Sequence, residues 1–369
     1  MATVDTSITS FLANHLRELA KLYELTIITN TSNPALLSEI GVDANLIQIN
    51  FSRKIVLVAD FYCLIRLIQI CMKNRFSSIH SITPKAGLLA MLAGKLCFIP
   101  TRVHTFTGQV WAINHGFNRF FFKLFDRLIA NLATFNIVDS PSQQKFLIDE
   151  NILTIHKSVV FGLGSVSGVD LTRFKPNKKI FSEIRNSLLI PDDAFVFIYL
   201  GRLSKDKGIL DLANAFSTIE NKNVYLLFVG PDEGSFVDQI KRINVRKLDR
   251  IKFLAFTKEP ERYLACSNVL CLPSYREGFG SVIIEAAAMG IPSIASRIYG
   301  IVDATIHNQT GILHRPGDID GLKLAMDKML QDQDLYKRLS RGSRRRAIEM
   351  FEAAIITSEW INFYKSHLS

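Results

Sequence analysis

No uninterrupted apolar run in this chain is long enough to cross a bilayer. The nearest approach, Ile55 to Met72, is broken by Asp60 and Arg66. The opening residues hold no basic segment followed by an apolar core, so they do not read as a signal peptide. Cysteine is scarce: Cys63, Cys71, Cys97, Cys266 and Cys271 stand in apolar contexts without a Cys-x-x-Cys pair or metal-ligand spacing. That excludes a zinc module and reads as buried thiols in a reducing compartment. The histidines are scattered without a metal triad, although His80 and His104 both end expected strands. No zinc finger, RNP-like motif or Arg-rich repeat points to nucleic acid. Gly201–Gly208 is not Gly-x-Gly-x-x-Gly and lacks the Gly-Lys-Ser/Thr of a P-loop, which argues against nucleotide hydrolysis by that device.

What is present is a folded composition: 369 residues, 48% hydrophobic and 21% charged, enough for two domains. The net charge of +10 is uneven. Residues 1–180 carry 19 Lys/Arg against 11 Asp/Glu, a net of +8, whereas residues 181–369 carry 25 against 23, a net of +2. A basic first half implies an anionic partner, such as an acidic membrane surface or a phosphorylated substrate.

Strands and helices alternate along the chain, the pattern of parallel α/β sheets. The first half reads as a helix over Ser10–Leu22, strands at Leu25–Thr29 and Ile47–Phe51, and a long apolar helix over Ile55–Lys73. A strand ending at Ser81, a small-residue helix over Ala86–Leu96 and strands at Thr101–Phe106 and Ala133–Val138 follow. Ser140 should cap the helix over Ser142–Glu150, with Pro141 in its first position. A strand should also precede the first helix; almost no chain is left for it, so the first strand is expected to be very short or truncated. Gly162–Asp170 reads as a flexible crossover, and residues 171–193 as a polar boundary. The second half repeats the pattern, with strands at Phe195–Leu200, Asn223–Val229, Lys252–Ala255, Val269–Pro273, Pro292–Ala295 and Gly311–His314, then three closing helices.

The helix at 118–132 mixes Phe120, Phe121, Phe122 and Phe125 with Arg119, Lys123 and Arg127. Such a helix suits an anionic bilayer interface, its cations on phosphates and its aromatics among headgroups. The plainer reading is a helix packed on the sheet through Phe121, Leu124, Phe125 and Leu128, with Phe120 and Phe122 harder to bury.

Two loops carry chemistry. Arg202 and Lys207 lie five residues apart in a glycine-bracketed turn at a strand's end, where two cations could clamp a diphosphate and stabilise a departing phosphate. The Ser274–Gly290 stretch is a strand end, a glycine turn and a helix, whose first N–H groups can receive an anion. Glu277 lies in that turn and Glu285 in the helix, where a carboxylate can accept from two adjacent ribose hydroxyls. A solvated loop and a surface glutamate are the plainer readings of the same residues. No Asp-x-Asp lies in a plausible nucleotide loop, so a Mg²⁺-bridged diphosphate is not indicated.

Together, Gly201–Gly208, Pro273–Gly280 and Glu285 resemble the signature of glycosyltransferase family 4, the Glu277/Glu285 pair matching its Glu-x7-Glu motif. The resemblance covers essentially the whole chain. It implies a retaining, nucleotide-sugar-dependent enzyme of GT-B architecture, with two Rossmann-like parallel-sheet domains facing a central cleft. Pro84–Gly87 and His104–Val110 resemble the bacterial subgroup that builds O-antigen and capsule units on polyprenyl diphosphate. The implied domains are an acceptor-side domain over 1–173, a nucleotide-sugar domain over 174–350 and a helix over 351–369 crossing back to the first. The implied roles put Arg202 and Lys207 on the diphosphate, Glu285 on the ribose and Glu277 on the donor sugar. Phe279, Gly280 and Ser281 would lend backbone to phosphate or sugar. Lys85, His104, Thr107 and Gly108 become candidates on the acceptor or donor-sugar side, with Thr107 standing where the family often has histidine. The donor would be a UDP-sugar, needing no metal or further cofactor, and the acceptor a polyprenyl-diphosphate-linked saccharide. The place would be the cytoplasm, peripherally on the inner face of the membrane through residues 118–132. A sugar-nucleotide epimerase or phosphorylase of the same shape, or an inactive membrane-surface binding protein, remains an alternative.

Overall fold

The computed structural model describes residues 1–52 and 56–368. The chain divides into two units, Met1–Gly168 with Ala353–Ser369, and Val169–Glu352. The division falls inside the Gly/Ser-rich crossover.

In the first unit, six strands form among the described residues: β1 (Thr26–Thr29), β2 (Asn45–Gln48), β3 (Ser78–Ser81), β4 (Thr101–Phe106), β5 (Phe135–Val138) and β6 (Ser158–Val159). All pair in parallel, in two ribbons of order β1-β2 and β3-β4-β5-β6. The expected first strand is reduced to a single rung. The Met1 ammonium donates to His80 O (2.6 Å), Ile82 N–H donates to Met1 O (3.2 Å), and Ala2 N–H donates to Ile28 O (3.1 Å). Met1–Ala2 thus joins the two ribbons at one end only.

Three local expectations are corrected. The single helix over Ser10–Leu22 is two, Asp5–Phe11 and Ala13–Leu19, joined at Leu12, whose φ of −116° distorts the turn. The second strand is Asn45–Gln48 rather than Ile47–Phe51; Ile49 and Phe51 instead bury their side chains in the core beyond its end. The long apolar helix runs over Leu57–Asn74, and Ile55 lies outside the described residues. Ser140 caps the helix Pro141–Asp149 by accepting from Gln143 N–H (3.2 Å). The helix Ala353–His367 packs into the first unit, where Trp360 stacks on His15 and His80 at 5.2 and 5.1 Å.

The second unit adds β7 (Phe195–Leu200), β8 (Val224–Val229), β9 (Ile251–Leu254), β10 (Val269–Leu272), β11 (Ser293–Ser296) and β12 (Gly311–His314). They form one parallel sheet in the order β12-β11-β10-β7-β8-β9. Parallel strands covered by helices on both faces read as continuous apolar runs, and Val196, Phe197, Ile198 and Tyr199 are all fully buried. Each such side chain removed from water contributes about 1.5–3 kcal/mol. The polar boundary expected at 171–193 contains a helix, Lys178–Leu188, capped by Asn177, whose side chain accepts from the N–H groups of Lys179 and Ile180. Both units are therefore Rossmann-like parallel sheets flanked by helices, the pair of domains that defines GT-B.

Candidate functional site

From β7 the chain proceeds outward through β8 and β9, then returns to β10 and proceeds the other way through β11 and β12. The direction reverses between β7 and β10, and such a switch point leaves a crevice at the strands' C-terminal ends. The two chemistry-bearing loops leave from those ends. Gly208 holds them together: it sits at φ +67°, and a Cβ there would come within 2.0 Å of Pro273 O. Across the same junction Tyr275 N–H donates to Asp206 O (2.8 Å), and Arg276 Nη2 pairs with Asp206 Oδ2 (2.9 Å). Burial pushes the Asp206 carboxyl up, but the Ser204 hydroxyl and the charges of Arg276, Lys207 and Arg202 outweigh it and hold the group below the usual range.

Each of the two cations already holds a carboxylate. Lys207 Nζ lies 2.6 Å from Glu277 Oε1, with side-chain exposures of only 16% and 14%. Ser274 Oγ donates to the same oxygen (2.9 Å). Arg202 Nη1 lies 2.5 Å from Glu233 Oε2 in a more open pair. Incoming phosphate oxygens would thus exchange one acceptor for another on each cation, without stripping water from a bare ammonium.

The helix Ser281–Ala288 begins at Gly280 without a side-chain cap. The backbone N–H groups of Phe279, Gly280, Ser281 and Val282 have no acceptor among the described residues. The Phe279 side chain is buried edge-on against Phe351 (5.3 Å), which pins the turn from beneath. Gly300 closes it from the side, where a Cβ would meet Gly278 O at 2.3 Å. The result is a rigid row of donors at a helix N-terminus, suited to an anion.

Glu285, one turn into that helix, has no hydrogen-bond partner among the described residues. Burial pushes its carboxyl up to about 7, with Arg173 drawing it down and Glu261 pushing it up. Arg173 is itself fixed by Glu261 Oε2 (2.8 Å from Nε) and Lys258 O (2.5 Å from Nη2). Once ionised, this unpartnered carboxylate offers both oxygens as acceptors to two hydroxyl donors of a ligand, at the cost of giving up a proton that burial favours.

The first-unit candidates divide. Lys85 is paired with Asp60 (2.6 Å) and donates to Ser52 Oγ (3.2 Å). His104 is buried, shares a hydrogen bond between Nδ1 and Ser81 Oγ (2.9 Å), and is pushed down to about 3 by burial. Its ring belongs to the core between β4 and the helix Pro84–Leu96, where a Cβ on Gly87 would strike it. Thr107 and Gly108 follow the C-terminal end of β4, and Thr107 O accepts from Gln109 and Gln143.

In the helix Gly116–Leu132 the three cations have partners within the protein. Arg119 and Lys123 both pair with Glu150 at 2.6 Å and lie over the Trp111 ring, while Arg127 donates to Asn151 O (2.9 Å). The packed set differs from the expected one. Phe122 packs on the core, whereas Phe117, Phe120, Leu124 and Leu128 are exposed. Exposed cations with no ion-pair partner among the described residues lie on neighbouring segments, at Arg66, Lys73, Arg75 and Lys95.

Sequence reasoning missed Arg173, Glu233, Ser274 and Glu261. Arg173 follows Gly168-Val169-Asp170 by three residues, the one local signal available for it. Among the described residues, no group of three or more His, Cys, Asp or Glu side chains is placed to hold a metal ion.

Comparison with known proteins gives a consistent result. Residues 180–346 match the family model of glycosyl transferases group 1. The capsular polysaccharide biosynthesis glycosyltransferase CapM of Staphylococcus aureus is 30% identical over 323 residues, 87% of this chain and 84% of that protein. The UDP-Gal:alpha-D-GlcNAc-diphosphoundecaprenol alpha-1,3-galactosyltransferase of Escherichia coli is 27% identical over 310 residues, 81% of this chain and 78% of its own. Among solved structures, Anabaena HepE in complex with UDP and glucose superposes with a TM-score of 0.82 at 19% identity, covering 97% of this chain and 95% of that one.

Proposed function

The chain belongs to the group 1 glycosyl transferases and is a glycosyltransferase of GT-B fold, and from that premise we propose that it transfers a sugar from a UDP-sugar to a polyprenyl-diphosphate-linked saccharide. The sugar is a hexose, an N-acetylhexosamine or a relative, and the product serves cell-surface polysaccharide, O-antigen or capsule. The observation that carries the donor half is the row of unpartnered N–H groups from Phe279 to Val282, beside Lys207 and Arg202 at the switch point. The acceptor half rests on the relatives named for capsule synthesis and for transfer onto an undecaprenyl diphosphate sugar.

In this reading the diphosphate lies on the N–H row, with Lys207 and Arg202 turning from Glu277 and Glu233 to its oxygens as negative charge grows on the leaving group. Glu277, released from Lys207, accepts from donor-sugar hydroxyls, and Glu285 holds the ribose. The bond from the anomeric carbon to the diphosphate oxygen breaks while the acceptor oxygen bonds on the same face, its proton passing to the departing phosphate. Configuration is retained without a protein nucleophile; a trapped glycosyl-enzyme adduct would rule that route out.

The work is assigned to the inner face of the cytoplasmic membrane, with the protein held peripherally. Support comes from the exposed Phe117, Phe120, Leu124 and Leu128 and from the exposed cations Arg66, Lys73 and Lys95 on the adjoining helices. No helix of the described residues is long and apolar enough to cross a membrane.

The test is a transfer assay read by mass spectrometry, in EDTA, with a panel of UDP-sugars and polyprenyl-diphosphate mono- and disaccharides. A product one sugar heavier is expected. Donor isomerised without acceptor would point to an epimerase instead, and no turnover across the panel would favour a surface-binding protein.

A further inference from the structure

Two helices of the first unit bring a pair of cysteines together. Leu57–Asn74 and Pro84–Leu96 lie side by side, and they lead into the neighbouring parallel strands β3 and β4. Cys71 stands in the last turn of the first helix, and Cys97 follows the last residue of the second. The Cys97 N–H donates to Ala93 O (2.9 Å), which holds its backbone at the helix end. Its Sγ donates to Ile68 O (3.7 Å), on the turn just before Cys71. Helical side chains lean toward the N-terminus, so the Cys71 thiol covers that same turn. There the two thiols share a hydrogen bond.

The two sulfurs face different surroundings. Cys71 is 2% exposed, and burial followed by the neighbouring Cys97 pushes its thiol up to about 12. Cys97 is half-buried, between Leu96 and Phe98, which are 58% and 90% exposed. It therefore stands at a solvent-exposed helix end with a second thiol behind it. Cys63, Cys266 and Cys271 are buried. A small soluble oxidant thus meets Cys97 first. An accessible thiol with a second thiol in contact is the arrangement that passes from sulfenic acid to disulfide. Neither cysteine has a part in the sugar transfer, so the pair is free for a separate chemistry.

We propose that Cys97 and Cys71 are a modification site, a thiol pair that hydroperoxides convert reversibly to a disulfide. Hydrogen peroxide oxidises the Cys97 thiol to a sulfenic acid and is itself reduced to water. The Cys71 sulfur then attacks the sulfenic sulfur. The S–O bond breaks, the S–S bond forms, and the hydroxyl leaves with the Cys71 proton as a second water. Two thiols and one peroxide thus become one disulfide and two waters. Low-molecular-weight thiols reverse the change by exchange. The first attacks the more accessible Cys97 sulfur and frees Cys71; a second frees Cys97, and the two leave as their own disulfide. While it lasts, the bond joins the ends of the two helices and closes the chain between them into a loop.

The test treats the full chain with hydrogen peroxide and maps its cysteines by mass spectrometry of unreduced proteolytic peptides. A cross-linked Cys71–Cys97 peptide is expected as the first and main product in the unaltered protein, and dithiothreitol should abolish it. In Cys71→Ala the oxidation should stop at Cys97 as a sulfenic acid, trapped by dimedone. Cys97→Ala should give no dimedone adduct at Cys71. A main cross-link between other cysteines or between two chains would overturn the proposal. So would oxidation of Cys97 past the sulfenic acid without a bond to Cys71, dimedone capture at Cys71 in place of Cys97, or five thiols left unreacted. Because the readout needs neither donor nor acceptor sugar, it is independent of the transferase assay.

Discussion

Lys207 and Glu277 neutralise each other at 2.6 Å in a partly buried pocket that Ser274 completes. Either side chain alone would leave the other's charge uncompensated in that pocket. Lys207→Ala and Glu277→Ala should each lower kcat/KM by about 100–1,000-fold, the range for deleting one preorganised charge-stabilising group; an unchanged kcat/KM in both would remove these residues from the reaction. Glu285 carries a separate signature. Its carboxyl is pushed up to about 7 by burial, and in the proposed ribose-holding role only the ionised form would offer acceptors to two hydroxyls. Nucleotide binding should therefore release a proton. Affinity for UDP should be constant above pH 7 and fall as pH drops below it, approaching tenfold per unit, while Glu285→Gln binds weakly and without that dependence. Calorimetry across pH 5.5–8.5 in buffers of different ionisation enthalpy reads both effects.

At the scale of elements, the loops are as consequential as the side chains they carry. Gly208 joins the turn after β7 to the end of β10 in a left-handed conformation that costs a residue with Cβ about 1–2 kcal/mol, before the clash with Pro273 O. Gly208→Ala should lower Tm and UDP affinity together, and a normal Tm and affinity would mean the two loops are not mechanically joined there. Three strands of the second unit, β7, β8 and β10, were the most legible in the sequence because each is an unbroken apolar run that ends at a glycine or proline. The helix Lys178–Leu188 was not, although Ile180, Ile184 and Leu188 share a face, because Asn177 and its lysines resemble a linker. Its Arg185, a residue usually found in solvent, is buried with its guanidinium satisfied by carbonyls of Pro191, Asp192, Ala194 and Cys266.

The helix Gly116–Leu132 shows the limit of pattern reading most clearly. Its cations looked free in sequence because their partner, Glu150, follows Arg119 by 31 residues and Lys123 by 27. Membrane attachment, if carried by its exposed apolar face, should be lost in Phe120→Glu combined with Leu124→Glu. Reversal of Arg66, Lys73 and Lys95 to glutamate should weaken flotation with anionic liposomes and remove its salt sensitivity. Flotation indifferent to both sets of changes would remove this surface from the account.

On the scale of the whole molecule, the sequence and structure agree most where physics is most constrained, in two parallel sheets whose alternating strands and helices admit few topologies. The motif loops were legible because glycine and charge mark them. What the sequence could not show was which charges the fold had already consumed: Arg202, Lys207, Arg119, Lys123 and Lys85 are all paired. The central claim is that a nucleotide diphosphate binds at the ends of β7 and β10. The most direct measurement is titration of UDP into the full chain at pH 8 in EDTA, beside the double variant Arg202→Ala/Lys207→Ala. Each lost charge-assisted bond is worth about 1.5–3 kcal/mol, tenfold or more in affinity. One UDP per chain and binding at least 100-fold weaker in a folded double variant is the predicted result. Equal affinity in the two proteins, or no UDP binding to the unaltered chain, would contradict it.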